Sequence, residues 1–172
     1  MSAAPGIRDA EYETLVALSR LPRVAPDRKN LLDVLQATCD LAREITEARY
    51  AAMAITDDHD RTEGFFVSGL SEEELKGLKT PPQGHGPLGD LRYDGRVIRI
   101  DDVKNHPTGF GFPPRHPEMQ TMLGVPIWVD GQVRGSIYVT DKRGSEPFED
   151  GDETRMLLLA RHVAAVVKEH WA

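Results

Sequence analysis

The side chains able to ligate a metal or carry a proton near neutral pH include six histidines and one cysteine. His106 and His116 each precede a proline and stand near the two ends of an aromatic, Pro/Gly-rich loop, NHPTGFGFPPRHP, at 105–117. A neutral imidazole is available at pH 7 as a metal ligand or an acid–base group. Pro114 and Pro117 flank Arg115-His116 and restrict the backbone that presents the ring. On residue type alone a loop histidine is most often a hydrogen-bonded loop residue. Both readings of His116 therefore stand at this point, with His85 and His106 as rivals on two loops. His59 falls at the tip of a polar turn, His162 in a closing helical segment, and His170 near the end of that segment. Cys39 has the setting of a small buried hydrophobe on a helix. A lone thiol excludes an internal disulfide and a cysteine-based zinc cluster.

The loop leads into a strand-turn-strand that carries Tyr138. Loops of this length are uncommon in a compact domain and are usually functional or disordered. Phe110, Phe112, Met119 and Met122 make this one too apolar for disorder. In the return strand, Ser136, Tyr138 and Thr140 alternate with Ile137 and Val139, so Tyr138 turns its polar tip away from the apolar pair, towards a pocket.

Periodicity supplies the elements that position these groups. Tyr12, Leu15, Val16 and Leu18 predict a short helix over Asp9–Leu21, set outside the main core by the following LPRVAPDRK break. Leu31, Leu35, Thr38, Ala42 and Ile45, widened by Val34 and Leu41, predict a stronger helix over Asn30–Thr46. Strands are expected over Tyr50–Thr56, Thr62–Val67, Arg96–Asp101, Leu123–Val129 and Val133–Thr140, the last two joined at Asp130-Gly131. Ser71-Glu72-Glu73-Glu74 spells a capping box, which starts a short helix running to about Leu78. A Gly/Pro loop at 80–89 follows, with one helical turn possible over Leu88–Arg92. The closing helix, Asp152–Trp171, is apolar on most sides, so it needs two things to pack against: its own sheet and, by expectation, a partner chain. This order gives an α+β fold, an antiparallel sheet with terminal helices on one face and pocket loops on the other.

The composition narrows the function. The 172 residues suffice for one domain with a substantial core. The net charge of −7 argues against nucleic acid and against an anionic membrane surface. No apolar run approaches a membrane span, and the N-terminus lacks a basic start and an apolar h-region. The expectation is a cytoplasmic protein.

Along Asn30–Trp171 the chain resembles the GAF domain family. LGVPIWVDGQVRGSIYVTDK is similar to that family's signature hairpin. Lys142 with Phe148-Glu149-Asp150-Gly151-Asp152-Glu153 is similar to the N-K…F-x-x-x-D-E motif of cyclic-nucleotide-binding members, with Asp141 in place of Asn. Physically, Lys142 and Asp152 read as a salt bridge between the last strand and the last helix. The resemblance divides the chain into an N-terminal helix and linker, 1–29, and a GAF domain, 30–172.

Within that family, HP-x-x-x-GFPP-x-HP-x-M-x-T-x-LGVP is similar to the haem-binding GAF domain of DevS/DosS-type sensor histidine kinases. The resemblance implies haem b, with His116 as the proximal iron ligand and Tyr138 on the distal side. Phe110, Phe112, Met119 and Met122 would wall the slot, with Leu88 from the facing loop and Met53 or Phe65 from the sheet. Arg115 would meet a propionate. Two departures stand out: Glu118 replaces a second proline, and Ala54 replaces a glutamate of the network around the haem. The implied function is a GAF sensor responding to a diatomic gas or redox state, signalling through a homodimer of its terminal helices or a separate partner. The alternative is a haem-free GAF module that binds another small molecule or serves as a dimerisation domain. An enzymatic role of the kind seen in GAF domains that reduce free methionine sulfoxide is not expected, because that chemistry needs several cysteines.

Overall fold

The computed structural model describes residues 5–21, 28–56, 62–71, 73, 95–102, 120–144 and 146–171. Their helices and strands run in the order α1 (Pro5–Ser19), α2 (Arg28–Thr46), β1 (Ala48–Thr56), β2 (Thr62–Ser68), β3 (Ile98–Ile100), β4 (Met122–Val129), β5 (Gln132–Lys142) and α3 (Asp150–His170). The strands make one antiparallel sheet in the order β2-β1-β5-β4-β3. This is the expected α+β architecture. Apart from Ser71 and Glu73, the short helix expected over 71–78 lies outside the described residues, as does the turn at 88–92.

The β4–β5 hairpin turns at Asp130 (φ 50°) and Gly131 (φ 79°), the paired positive values that match the twist of the flanking strands. At the centre of the sheet, Gly135 of β5 lies between Ile55 and Ile127. A Cβ there would stand 2.2 Å from the Ala54 carbonyl oxygen, a backbone atom that cannot yield without opening the β1–β5 pairing. Gly135→Ala is expected to cost about 1–3 kcal/mol as overpacking, read as a lower urea midpoint at an unchanged slope.

One face of the sheet carries the main core. Met53, Ile55, Leu123, Val125, Ile137 and Val139 meet Leu35 and Cys39 of α2 and Met156, Leu159 and Val163 of α3. Burial at helical spacing draws α2 down over β1 and β2. Two long-range bonds fix it there: Gln36 Nε2 donates to the Val67 carbonyl at 2.9 Å, and Arg43 Nε donates to Ser68 Oγ at 2.9 Å.

As expected, the first helix supplies no buried member of the main core, but it is not detached from the domain. It docks along α3 through Ala10 and Thr14, both fully buried, with Leu18 against the core, while Tyr12 and Leu15 face outwards. Small residues allow the two helix backbones to approach closely, so the buried side of α1 is not its most apolar side. Apolar surface of α3 beyond its sheet contact is met within the chain by α1 and α2, and Leu157 remains exposed.

His162 of α3 is half-buried, and its Nε2 is enclosed without a hydrogen-bond partner. Burial holds its pKa below the ordinary 6.5. As pH falls below about 6.5 the unfolded chain therefore takes up a proton that the folded chain resists. Stability from this group is complete above that pH and is lost progressively as pH falls through the depressed folded value. The thermal midpoint should decline over that window in the wild type, and His162→Leu should flatten that part of the profile.

Candidate ligand-binding face of the sheet

Strand alternation gives the sheet a second face, and the registers fix its rows. One row runs Val67–Ala52–Tyr138–Gly124–Ile98 across β2, β1, β5, β4 and β3. The row on one side is Phe65–Ala54–Ser136–Pro126, and that on the other is Tyr50–Thr140–Met122–Ile100. Ala52, Met122 and Tyr138 form a buried cluster of their own, with Phe65, Val67, Ile98 and Ile100 packed against it. No residue of a described helix belongs to that cluster; the helices all serve the opposite face. The floor is low on both sides of Tyr138, because Ala52, Ala54 and Gly124 carry a methyl group or nothing, and larger side chains on β2, β3 and β4 edge it.

The hydroxyl groups of Tyr50, Ser136, Tyr138 and Thr140 break this apolar floor, and two of them stand out. Burial pushes the Tyr138 hydroxyl pKa well above the ordinary tyrosine range, with a smaller contribution from Cys39, so the group stays protonated. Thr140 is fully buried, and its Oγ1 has no hydrogen-bond partner among the described residues.

Beyond Thr140 the strand is clasped. Asp141 has φ 59°, a left-handed conformation that Asp and Asn adopt more readily than most residues. Its Oδ1 accepts from the Gln120 amide at 2.6 Å and the Thr121 amide at 3.2 Å. Its own amide donates to the Thr121 carbonyl at 3.0 Å, and the Lys142 amide donates to Thr121 Oγ1 at 3.3 Å. The clasp fixes where the chain enters β4 after residues 103–119.

Lys142 then forms the expected ion pair with Asp152 of α3, both side chains buried. Asp152 Oδ2 also accepts from the Glu149 amide at 2.9 Å, closing the helix start, while Oδ1 accepts from Arg155 Nη1 at 2.9 Å. Arg155 Nη2 in turn reaches Glu13 Oε2 of α1 at 3.4 Å. A polar chain thus runs from the end of β5 through α3 to α1.

The structure brings Tyr138, Met122 and Phe65 together on the floor. Met53, the alternative to Phe65, is corrected: it lies on the helix-covered side. His116, Phe110, Phe112, Arg115, Met119 and Leu88 lie outside the described residues. Sequence reading had not singled out the orphaned Thr140 hydroxyl or the Asp141 clasp. The parity that placed Tyr138 also places Thr140, but its lack of a partner is visible only in three dimensions.

Comparison with known proteins agrees with this architecture. The GAF domain family model matches residues 29–168. The GAF domain from a phosphoenolpyruvate-protein phosphotransferase of Coxiella burnetii superposes with a TM-score of 0.72 at 21% identity, covering 97% of this chain and 95% of that one. A region of a methyl-accepting chemotaxis protein, residues 122 to 287, gives 0.67 at 16% identity over 92% and 94%. Free methionine-R-sulfoxide reductase from Neisseria meningitidis, in complex with its substrate, gives 0.66 at 14% identity over 98% and 93%. At these identities the likeness is one of fold.

Proposed function

The chain belongs to the GAF domain family, and on that premise we propose that it is a sensor module holding haem b against the helix-free face of its sheet. The observation that carries this reading is that face itself. It is apolar, with its centre buried, low at Ala52, Ala54 and Gly124 on the two sides of Tyr138, and edged by Phe65, Val67, Met122 and Ile98. A flat apolar ring suits such a floor. By the likeness of residues 105–138 to haem-binding GAF domains, His116 would hold the iron and Tyr138 would line the site. Phe110, Phe112, Met119 and Leu88 would wall the haem, and Arg115 would meet a propionate. The iron of bound haem would be the atom that takes a diatomic gas or changes oxidation state. Ala54, paired between Phe65 and Ser136, leaves that part of the floor apolar where the similar sensors carry a glutamate. Water is held less readily there.

Signalling is the role supported by the solved relative in a methyl-accepting chemotaxis protein and by one in a putative two-component sensor histidine kinase protein of Sinorhizobium meliloti. Output would pass through the terminal helices. The chain of Lys142, Asp152, Arg155 and Glu13 links the end of β5 to both α3 and α1, which expose Tyr12, Leu15 and Leu157 as apolar surface for a second copy or a separate partner. A cytoplasmic setting belongs to the same reading; among the described residues no helix is long and apolar enough to cross a membrane.

Sulfoxide reduction of the Neisseria kind is not proposed. Cys39 is on the helix-covered side, and burial raises its thiol pKa, helped by Asp40, which disfavours the nucleophilic thiolate. Addition of haem b to the purified protein tests the proposal. A Soret band that saturates at one haem per chain is the expected result, and a protein that stays colourless overturns it in favour of a haem-free module.

A further inference from the structure

We infer that Thr140 is the residue through which the sheet face reads its ligand, its hydroxyl exchanging a hydrogen bond with an uncharged polar atom of a flat molecule laid along β5. The inference rests on the reading of this face as the ligand site, and it adds a recognition residue and a ligand class.

Thr140 Oγ1 is enclosed and unpartnered among the described residues. Buried polar groups are nearly always paired, because an unmade hydrogen bond forfeits the solvation that burial removed. The polar groups nearest in sequence are already committed. Thr121 Oγ1 accepts from the Lys142 amide, and the Asp141 carboxylate accepts from Gln120 and Thr121. Thr140 has the parity of Tyr138 and stands between Tyr50 and Met122 in its row, so its side chain faces the side of the sheet on which the Tyr138 cluster forms.

The neighbouring rows fix the ligand's chemistry. From Ser136 to Thr140, and across the described residues paired with them on this face, there is no Asp, Glu, Lys, Arg or His. A charged group laid on these rows would have no counterion among the described residues and would be costly to bury, so any carboxylate of the ligand lies away from Thr140, as the haem propionates would at Arg115. A carbonyl, ring nitrogen or hydroxyl needs only one hydrogen bond. From Ser136 to Thr140 the strand extends about 13 Å, the length of a two- or three-ring system lying beside Tyr138 over the small residues Ala52 and Ala54.

The test uses the full chain free of haem and three flat, uncharged probes of similar size: coumarin, which accepts a hydrogen bond, indole, which donates one, and naphthalene, which does neither. Affinities are read by NMR titration. The wild type should bind coumarin or indole about tenfold more tightly than naphthalene. Thr140→Val keeps the shape and removes the hydroxyl, and it should bring that ratio to about one. Thr140→Ser should keep the wild-type ratio. Because Val removes an orphaned polar group, the ligand-free thermal midpoint of Thr140→Val should rise by about 2–4 °C.

The inference is overturned if Val lowers the midpoint, which would mean that the hydroxyl is already satisfied inside the protein. It is equally overturned if Val leaves the ratio unchanged or if none of the probes binds. None of these readouts depends on iron. A missing Soret band beside a Thr140-dependent ratio removes haem alone, and a Soret band beside an unchanged ratio removes the Thr140 assignment alone.

Discussion

Asp152→Ala is expected to lower folding stability by about 3–5 kcal/mol, the range for breaking a buried ion pair by removing one partner. Lys142 is 6% exposed and Asp152 1% at their side chains, so the lysine left behind cannot recover its hydration without opening the contact between β5 and α3. The same carboxylate closes the start of α3 on the Glu149 amide and holds Arg155. Three interactions therefore fail together. Urea denaturation followed by tryptophan fluorescence measures the loss. Asp152→Asn keeps the volume and a cap acceptor and should lose less. Adding Lys142→Met to Asp152→Asn should regain part of the stability, because the unpaired charge is then gone. A midpoint for Asp152→Ala within experimental error of wild type would show the pair to be dispensable.

His116→Ala should abolish the Soret band, or weaken haem binding by more than about a hundredfold, since losing mere outer-shell partners of a metal ligand already costs 10–100-fold. His85→Ala and His106→Ala should leave the band in place. Free imidazole, added at millimolar concentration, should restore a six- or five-coordinate spectrum to the variant by entering the space left by the side chain. The ligand-free protein should unfold at the wild-type midpoint, which separates loss of a ligand from loss of the fold. An unaltered band in His116→Ala would transfer the axial role to another group.

What sequence could and could not convey is clear from particular residues. The β4–β5 hairpin was legible because Asp130-Gly131 specifies its turn and because Ile137 and Val139 alternate with Tyr138 and Thr140. The Lys142–Asp152 pair was legible because opposite charges sit at the last strand and the first turn of the last helix. The face of Met53 was not legible. YAAMAIT is apolar throughout, so alternation gives no sign of which side is which, and only pairing with Phe66 and Ile137 settles it. The orientation of α1 was misleading for a related reason: a hydrophobic stripe marks large apolar residues, whereas the contact with α3 uses Ala10 and Thr14. The Asp141 clasp escaped notice because its partners are backbone amides at positions 120 and 121, to which side-chain patterns give no clue.

Ile100 pairs with Met122, so the two ends of the connection between β3 and β4 are fixed side by side in the sheet, with Asp141 holding the second end. Chain statistics make such a connection cheap to lengthen: doubling a flexible loop adds only about 0.6 kcal/mol of closure entropy. The sheet and its helices therefore act as a chassis in which this connection is exchangeable. Segments of different length and composition grafted between Ile100 and Met122 would inherit the same anchored ends, and a change of ligand in this scaffold need not involve any change in its core.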